Sequence, residues 1–120
     1  MIATEGILLP LTSGSRRSAA SLDDAALIAA CLEGSQAAWN EMVERFGRLV
    51  YSIPRRCGFS DADAEDVYQQ VFSILYRKLD TVRDAGRLAP WLIRTTHRAC
   101  YRAGRRQRHA VLDDEVVDDA

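Results

Sequence analysis

Arg94, Arg98, Arg102 and Arg106 recur every four residues, a spacing that stacks side chains along one side of a helix. Like charges in that register repel by roughly 0.2–0.5 kcal/mol per pair, so the series calls for an anion from outside the helix. Guanidinium offers a planar fork of donors that suits phosphate. His97 and Tyr101, set among the arginines, add rings on which nucleobases can stack. Carboxylates from other helices would also satisfy such a face. No Asp or Glu occurs from Ala85 through Leu112, however, while Arg87, Arg105 and Arg108 extend the basic run. The residue types therefore favour nucleic acid.

A second group is polar without being strongly charged. On a helix starting near Ser60, Asp66, Gln69, Gln70, Ser73 and Arg77 share one side. A solvated helix usually carries Lys and Glu there, so this is either a bland exposed face or a surface that meets a partner. Asp63, Glu65 and Asp66 resemble a carboxylate site, but the two histidines, His97 and His109, both lie in the basic segment. Their position near the positive end of a helix is better explained by capping. Serine-triad spacing, HExxH and P-loop patterns are absent, so no catalytic residue, metal site or cofactor is expected. The chain does not read as an enzyme. Cys31, Cys57 and Cys100 lack CxxC spacing and read as buried free thiols of a reducing cytosol. Trp39 and Trp91 read as core anchors, and Tyr68 and Tyr76 as core or rim residues.

The elements that must hold these groups are helical. Hydrophobic residues make up 48% of the 120 residues, yet aromatics only 8%, and alanine-rich, β-branched-poor composition favours helices over strands. The formal net charge of −1 conceals a basic segment followed at once by Asp113, Asp114, Glu115, Asp118 and Asp119. No stretch approaches the ~20 apolar residues that span a bilayer, and the N-terminal run Ile7–Leu11 is too short for a signal peptide. A cytoplasmic protein is expected.

Along the chain, residues 1–20 read as a flexible tail. Ser21 and Asp24 look like a capping pair opening a first helix, with Ala25, Ile28, Ala29 and Leu32 inward and Gly34 as its stop. Ser35 opens a second, whose stripe of Trp39, Met42, Val43, Phe46, Leu49, Val50, Ile53 and Cys57 keeps helical steps throughout. Pro54 predicts a kink or an early end, and Gly58 a stop. Ser60 opens the third, with Ala64, Val67, Tyr68, Val71, Ile74 or Leu75, and Leu79 inward. Residues 80–87 read as a loop. Pro90 suits the first turn of a fourth helix, with Leu92, Thr95, Ala99 and Ala103 inward and an end near Ala103–Gly104. The expected fold is all-α: a compact bundle of about four helices over residues 21–108, followed by an acidic linker at 109–120.

Three segments together resemble region 2 of the extracytoplasmic-function (ECF) sigma factors. Leu32-Glu33-Gly34-Ser35-Gln36-Ala37-Ala38-Trp39 matches the small turn and "xAF" that open the family's long amphipathic helix. Asp61-Ala62-Asp63-Ala64-Glu65-Asp66-Val67-Tyr68-Gln69-Gln70-Val71-Phe72 is similar to its "DAEDLVQEVF" signature. Trp91-Leu92-Ile93-Arg94-Thr95-Thr96-His97-Arg98 and the arginines beyond resemble "WLxxIARN" and its basic continuation. The likeness covers about residues 22–108, in the same order, spacing and helical phase.

The resemblance implies a transcription initiation factor that binds core RNA polymerase and melts the minus-ten promoter element. Asp66, Gln69, Gln70 and Ser73 would dock on the coiled coil of the largest polymerase subunit. Residues 80–87 would capture a base flipped from the single-stranded non-template DNA. Arg87, Arg94, His97, Arg98, Tyr101, Arg102, Arg105 and Arg106 would hold that strand, and an anti-sigma factor is an expected partner. Gln70 stands where the family usually has Glu, His97-Arg98 where it has Arg-Asn, and Arg102 where Asp is common. Nothing after Leu112 could form the helix-turn-helix of region 4, so truncation before a second domain is expected. The alternative is a sigma-like interaction module that binds polymerase or an anti-sigma protein without opening DNA.

Overall fold

In the computed structural model each helix begins where a short polar side chain takes up a backbone N–H that the helix leaves free. The structure describes residues 19–82 and 84–119, with side chains described to Arg108. Among these residues it is all-α: α1 (Asp24–Leu32), α2 (Gln36–Arg56), α3 (Asp61–Lys78), a 3₁₀ turn (Leu79–Thr81) and α4 (Ala85–Asp119). Asp23 Oδ1 accepts from the Ala26 N–H at 2.8 Å, Ser35 Oγ from Ala38 at 3.1 Å and Ser60 Oγ from Asp63 at 3.1 Å. Asp84 Oδ1 accepts from Gly86 at 2.9 Å. Gly34 and Gly58, at φ +93° and +90°, turn the chain after α1 and α2 in a conformation that side-chain-bearing residues seldom adopt. Ser35→Ala is expected to cost about 1 kcal/mol, read as a lower urea midpoint at an unchanged slope.

The α2 stripe forms as its spacing predicts. Met42, Phe46, Val50 and Ile53 are buried, joined by Ala38 and Gly47. α2 packs on α1, α3 and α4, and α3 packs on α4. Ala64, Val67, Val71, Phe72 and Leu75 supply the α3 side of the core, so Leu75 rather than Ile74 faces inward. At Gly47 the second and third helices meet closely. A Cβ there would stand 3.1 Å from Tyr68 Oη, and the Tyr68 ring is itself packed against Tyr51 and Phe72.

Several boundaries and one helical face differ from expectation. The first cap is Asp23, not Ser21, and residues 19–21 are already helical. Ala19 is buried, and Arg45 pins this end, pairing with Asp24 and Glu41 and donating to the Ala20 carbonyl. Residues 1–18 of the expected tail lie outside the described residues. The buried face of α1 is Leu27 and Ile28, while Ala25, Ala29 and Leu32 are exposed. In an alanine-rich segment the small residues carry little driving force, and the two large aliphatic side chains choose the phase.

Pro54 does not end α2, which runs two residues further to Arg56 with the proline ring buried. Cys57, expected inside, caps that helix with its side chain exposed. α4 starts five residues before Pro90, taking Gly86 and Arg87 out of the loop. The Asp84 cap and full burial of Leu88 offset the N–H that proline lacks. Nor does α4 end at Gly104. A helical glycine costs only about 1 kcal/mol relative to alanine, and the arginines and Gln107 after it are good helix formers. Gln107 Nε2 also donates to Asp63 Oδ2 at 3.0 Å, holding the extension on α3. The backbone of the expected linker is helical to Asp119; the side chains from 109 on and Ala120 lie outside the described residues.

Candidate nucleic-acid interface

The buried side of α4 determines where its arginines point. Leu88, Leu92, Thr95, Thr96, Ala99 and Cys100 are buried. Thr96, fully buried, donates its hydroxyl to the Leu92 carbonyl at 2.6 Å, so the polar atom is satisfied inside the helix itself. That leaves Arg87, Arg94, His97, Arg98, Tyr101, Arg102, Arg105 and Arg106 exposed. The ion pairs among the described residues involve only Arg45 and Arg55. Among these residues the α4 arginines form none, so Arg94, Arg98 and Arg102 face outward without a carboxylate partner from α1, α2 or α3. Arg105 lies 5.9 Å from the centroid of the Tyr101 ring, within cation–π range.

The arginines do not lie in one straight stripe. Each four-residue step overshoots a full turn by about 40°, so Arg106 is rotated by about 120° from Arg94. The structure shows the consequence at both ends of the series. Arg94 borders a cavity of about 310 Å³ with Thr81, Val82, Arg87, Pro90 and Trp91. Arg106 borders a groove of about 300 Å³ with Asp63, Asp66, Gln70 and Gln107. The single face expected of these arginines is therefore a winding one, with Arg106 turned toward α3.

The cavity at the start of α4 combines an indole, a proline ring and two guanidinium groups. Its size is that of a small-ligand site, and its makeup suits a planar ring carrying phosphate. Trp91, expected as a core anchor, is half-buried and lines it. Its position four residues after Arg87 and three before Arg94, on a shared helical side, was the available signal. Of the expected base-capturing segment, Thr81, Val82, Gly86 and Arg87 line the cavity, while Arg83 lies outside the described residues.

The polar side of α3 is open. Asp66, Gln69 and Ser73 are exposed and Gln70 half-buried. Gln69 Nε2 donates to Glu65 at 3.2 Å, and Arg77 Nη1 to Ser73 Oγ at 2.9 Å. These four-residue pairings hold the side chains in extended rows along the helix. Tyr76, 70% exposed, continues this side one turn beyond Ser73 and meets Trp39 edge-on at 5.2 Å. No helix among the described residues is long and apolar enough to cross a membrane.

Comparison with known proteins agrees with the motifs. Residues 42–110 match the family model described as Sigma-70 region 2. The RNA polymerase sigma factor NccH of Alcaligenes xylosoxydans xylosoxydans is 28% identical over 99 residues, covering 81% of this chain and 53% of that protein. The chain thus spans about half the length of that curated relative. No solved structure matches it.

Proposed function

The chain belongs to the Sigma-70 region 2 family, and from that premise we propose that it binds core RNA polymerase and opens the minus-ten promoter element by holding the non-template strand. The observation that carries this reading is the winding run of exposed α4 arginines, free of ion pairs among the described residues, that leads into the cavity beside Trp91. The strand follows Arg102, Arg98 and Arg94 by its phosphates. Arg105 covers one face of Tyr101, leaving the other for a base. A base drawn from the stack enters the cavity between Pro90 and Trp91, with Arg87 and Arg94 at its rim. Extruding a base costs a few kcal/mol, and stacking on an aromatic ring returns roughly 1–3 kcal/mol per base.

Asp66, Gln69, Gln70 and Ser73 meet the coiled coil of the largest polymerase subunit, so α3 and α4 divide the two partners between them. The protein acts in the cytoplasm, non-catalytically, and an anti-sigma factor competes for the same helices. Two measurements test this. The chain should co-elute with core polymerase at low salt, and Asp66→Arg should weaken that association by about tenfold or more, because it reverses the charge at the proposed docking face. With a fluorescent base analogue in the minus-ten region of a duplex, polymerase and chain together should raise the signal. An interaction module without strand opening would co-elute and leave the fluorescence unchanged. Loss of co-elution would remove the initiation reading and leave only a module that binds an anti-sigma protein.

A further inference from the structure

Cys57 and Cys100 belong to neither interface, yet the fold brings them together. Cys57 closes α2, its N–H donating to the Ile53 carbonyl at 3.1 Å, and its side chain is exposed. Cys100 is 6% exposed on the core side of α4. The turn between α2 and α3 sets the Cys57 thiol beside it: burial, and then the charge and hydrogen bonding of Cys57, push the Cys100 thiol up to about 11. Cys57 also borders a cavity of about 540 Å³ with Asp63, Gly104, Gln107 and Arg108. Gly104 lies one turn along α4 from Cys100, on the same side, so a small solute reaching that cavity arrives next to the pair. Cys31 on α1 is different. Its thiol is raised to about 11 by burial alone, with no contribution from another cysteine.

A solvent-exposed thiol poised next to a second cysteine is an arrangement used by redox-sensing cysteines and their resolving partners. We propose that Cys57 and Cys100 are a peroxide-oxidisable thiol pair that closes to a disulfide between the α2–α3 turn and α4. A hydroperoxide, ROOH, is attacked by the Cys57 sulfur. The O–O bond breaks, Cys57 becomes a sulfenic acid, and ROH leaves. The Cys100 sulfur then attacks the sulfenic sulfur, the S–S bond forms, and hydroxide departs with the Cys100 proton as water. Two thiols lose two electrons and two hydrogens in all, and one peroxide is reduced to ROH and water. In a reducing compartment the pair rests as dithiol and bridges only under oxidant, as intracellular redox-sensing cysteines do. The bridge ties the end of α2 to the middle of α4.

The test treats the full chain with hydrogen peroxide after removing reductant, then alkylates it under denaturing conditions with iodoacetamide. The expected product is a monomer lighter by two hydrogens that takes one alkyl group, on Cys31, and returns to three alkylated cysteines after dithiothreitol. Peptide mapping should join the Cys57 and Cys100 peptides. Cys31→Ser should bridge as before, and Cys57→Ser, a change at an exposed position, should not bridge. Three alkylated cysteines after peroxide would overturn the proposal. So would a bridge to Cys31, a Cys57–Cys57 dimer as the main product, or Cys57 carried to sulfinic acid while Cys100 remains alkylated.

Discussion

Leu92→Ala is expected to destabilise the domain by about 3 kcal/mol, lowering the thermal midpoint on the order of 15 °C for a domain of this size. Leu92 is fully buried and belongs to the continuous core that α1, α2, α3 and α4 build together. Removing its side chain deletes apolar area and leaves a space that three packed neighbours cannot all close. Leu88 and Thr96, each one turn away along α4, are also fully buried, so Leu92 sits in the middle of a row that is closed on both sides. Ile93 is the internal control. It has a similar side chain on the adjacent residue but is 37% exposed, so Ile93→Ala should cost less than half as much. Far-UV circular dichroism melts of the two variants provide the comparison. Equal losses would mean that α4 is rotated from the phase on which every assignment of its arginines depends.

That phase was readable in the sequence for some helices and not others, for physical reasons. In α2 the large residues from Met42 to Ile53 fall on one side at every turn, so periodicity alone sufficed. Ser35 and Ser60 were recognisable because an N-cap needs a short acceptor just before the apolar pattern starts. In α1 the alanines match any phase, and the burial of Leu27 with Ile28 was decided by neighbours the local sequence does not contain. Gly86 read as loop, Pro90 as a first turn and Gly104 as an end, because each weakens the interior of an isolated helix. In the folded chain Asp84, Leu88 and the Gln107–Asp63 bond hold the helix across them.

The candidate site divides in the same way. Exposure of the arginines follows from their spacing against Leu92 and Ala99. The cavity beside Trp91 was not legible, because Thr81 and Val82, which close it, come from the 3₁₀ turn and the residue after it, and only tertiary packing brings that turn to α4.

The triple substitution Arg94→Ala, Arg98→Ala and Arg102→Ala is expected to weaken binding of a single-stranded oligonucleotide to the polymerase-bound chain by on the order of a hundredfold at moderate salt. Each exposed arginine that contacts a phosphate contributes about 1 kcal/mol, and 1.4 kcal/mol corresponds to a tenfold change. The salt dependence distinguishes this from a general loss of fold. Each phosphate contact on a single strand releases roughly 0.7 of a counterion, so the slope of log affinity against log salt should fall by about 2. Stability should change little, because these side chains are exposed and form no ion pairs among the described residues. Relieving the repulsion between like charges one turn apart should even raise it by a few tenths of a kcal/mol. Fluorescence anisotropy across a salt series, paired with a thermal melt, reads both quantities. A variant that melts normally, yet keeps its affinity and salt slope, would show that the strand runs elsewhere and that this face of α4 is only solvated.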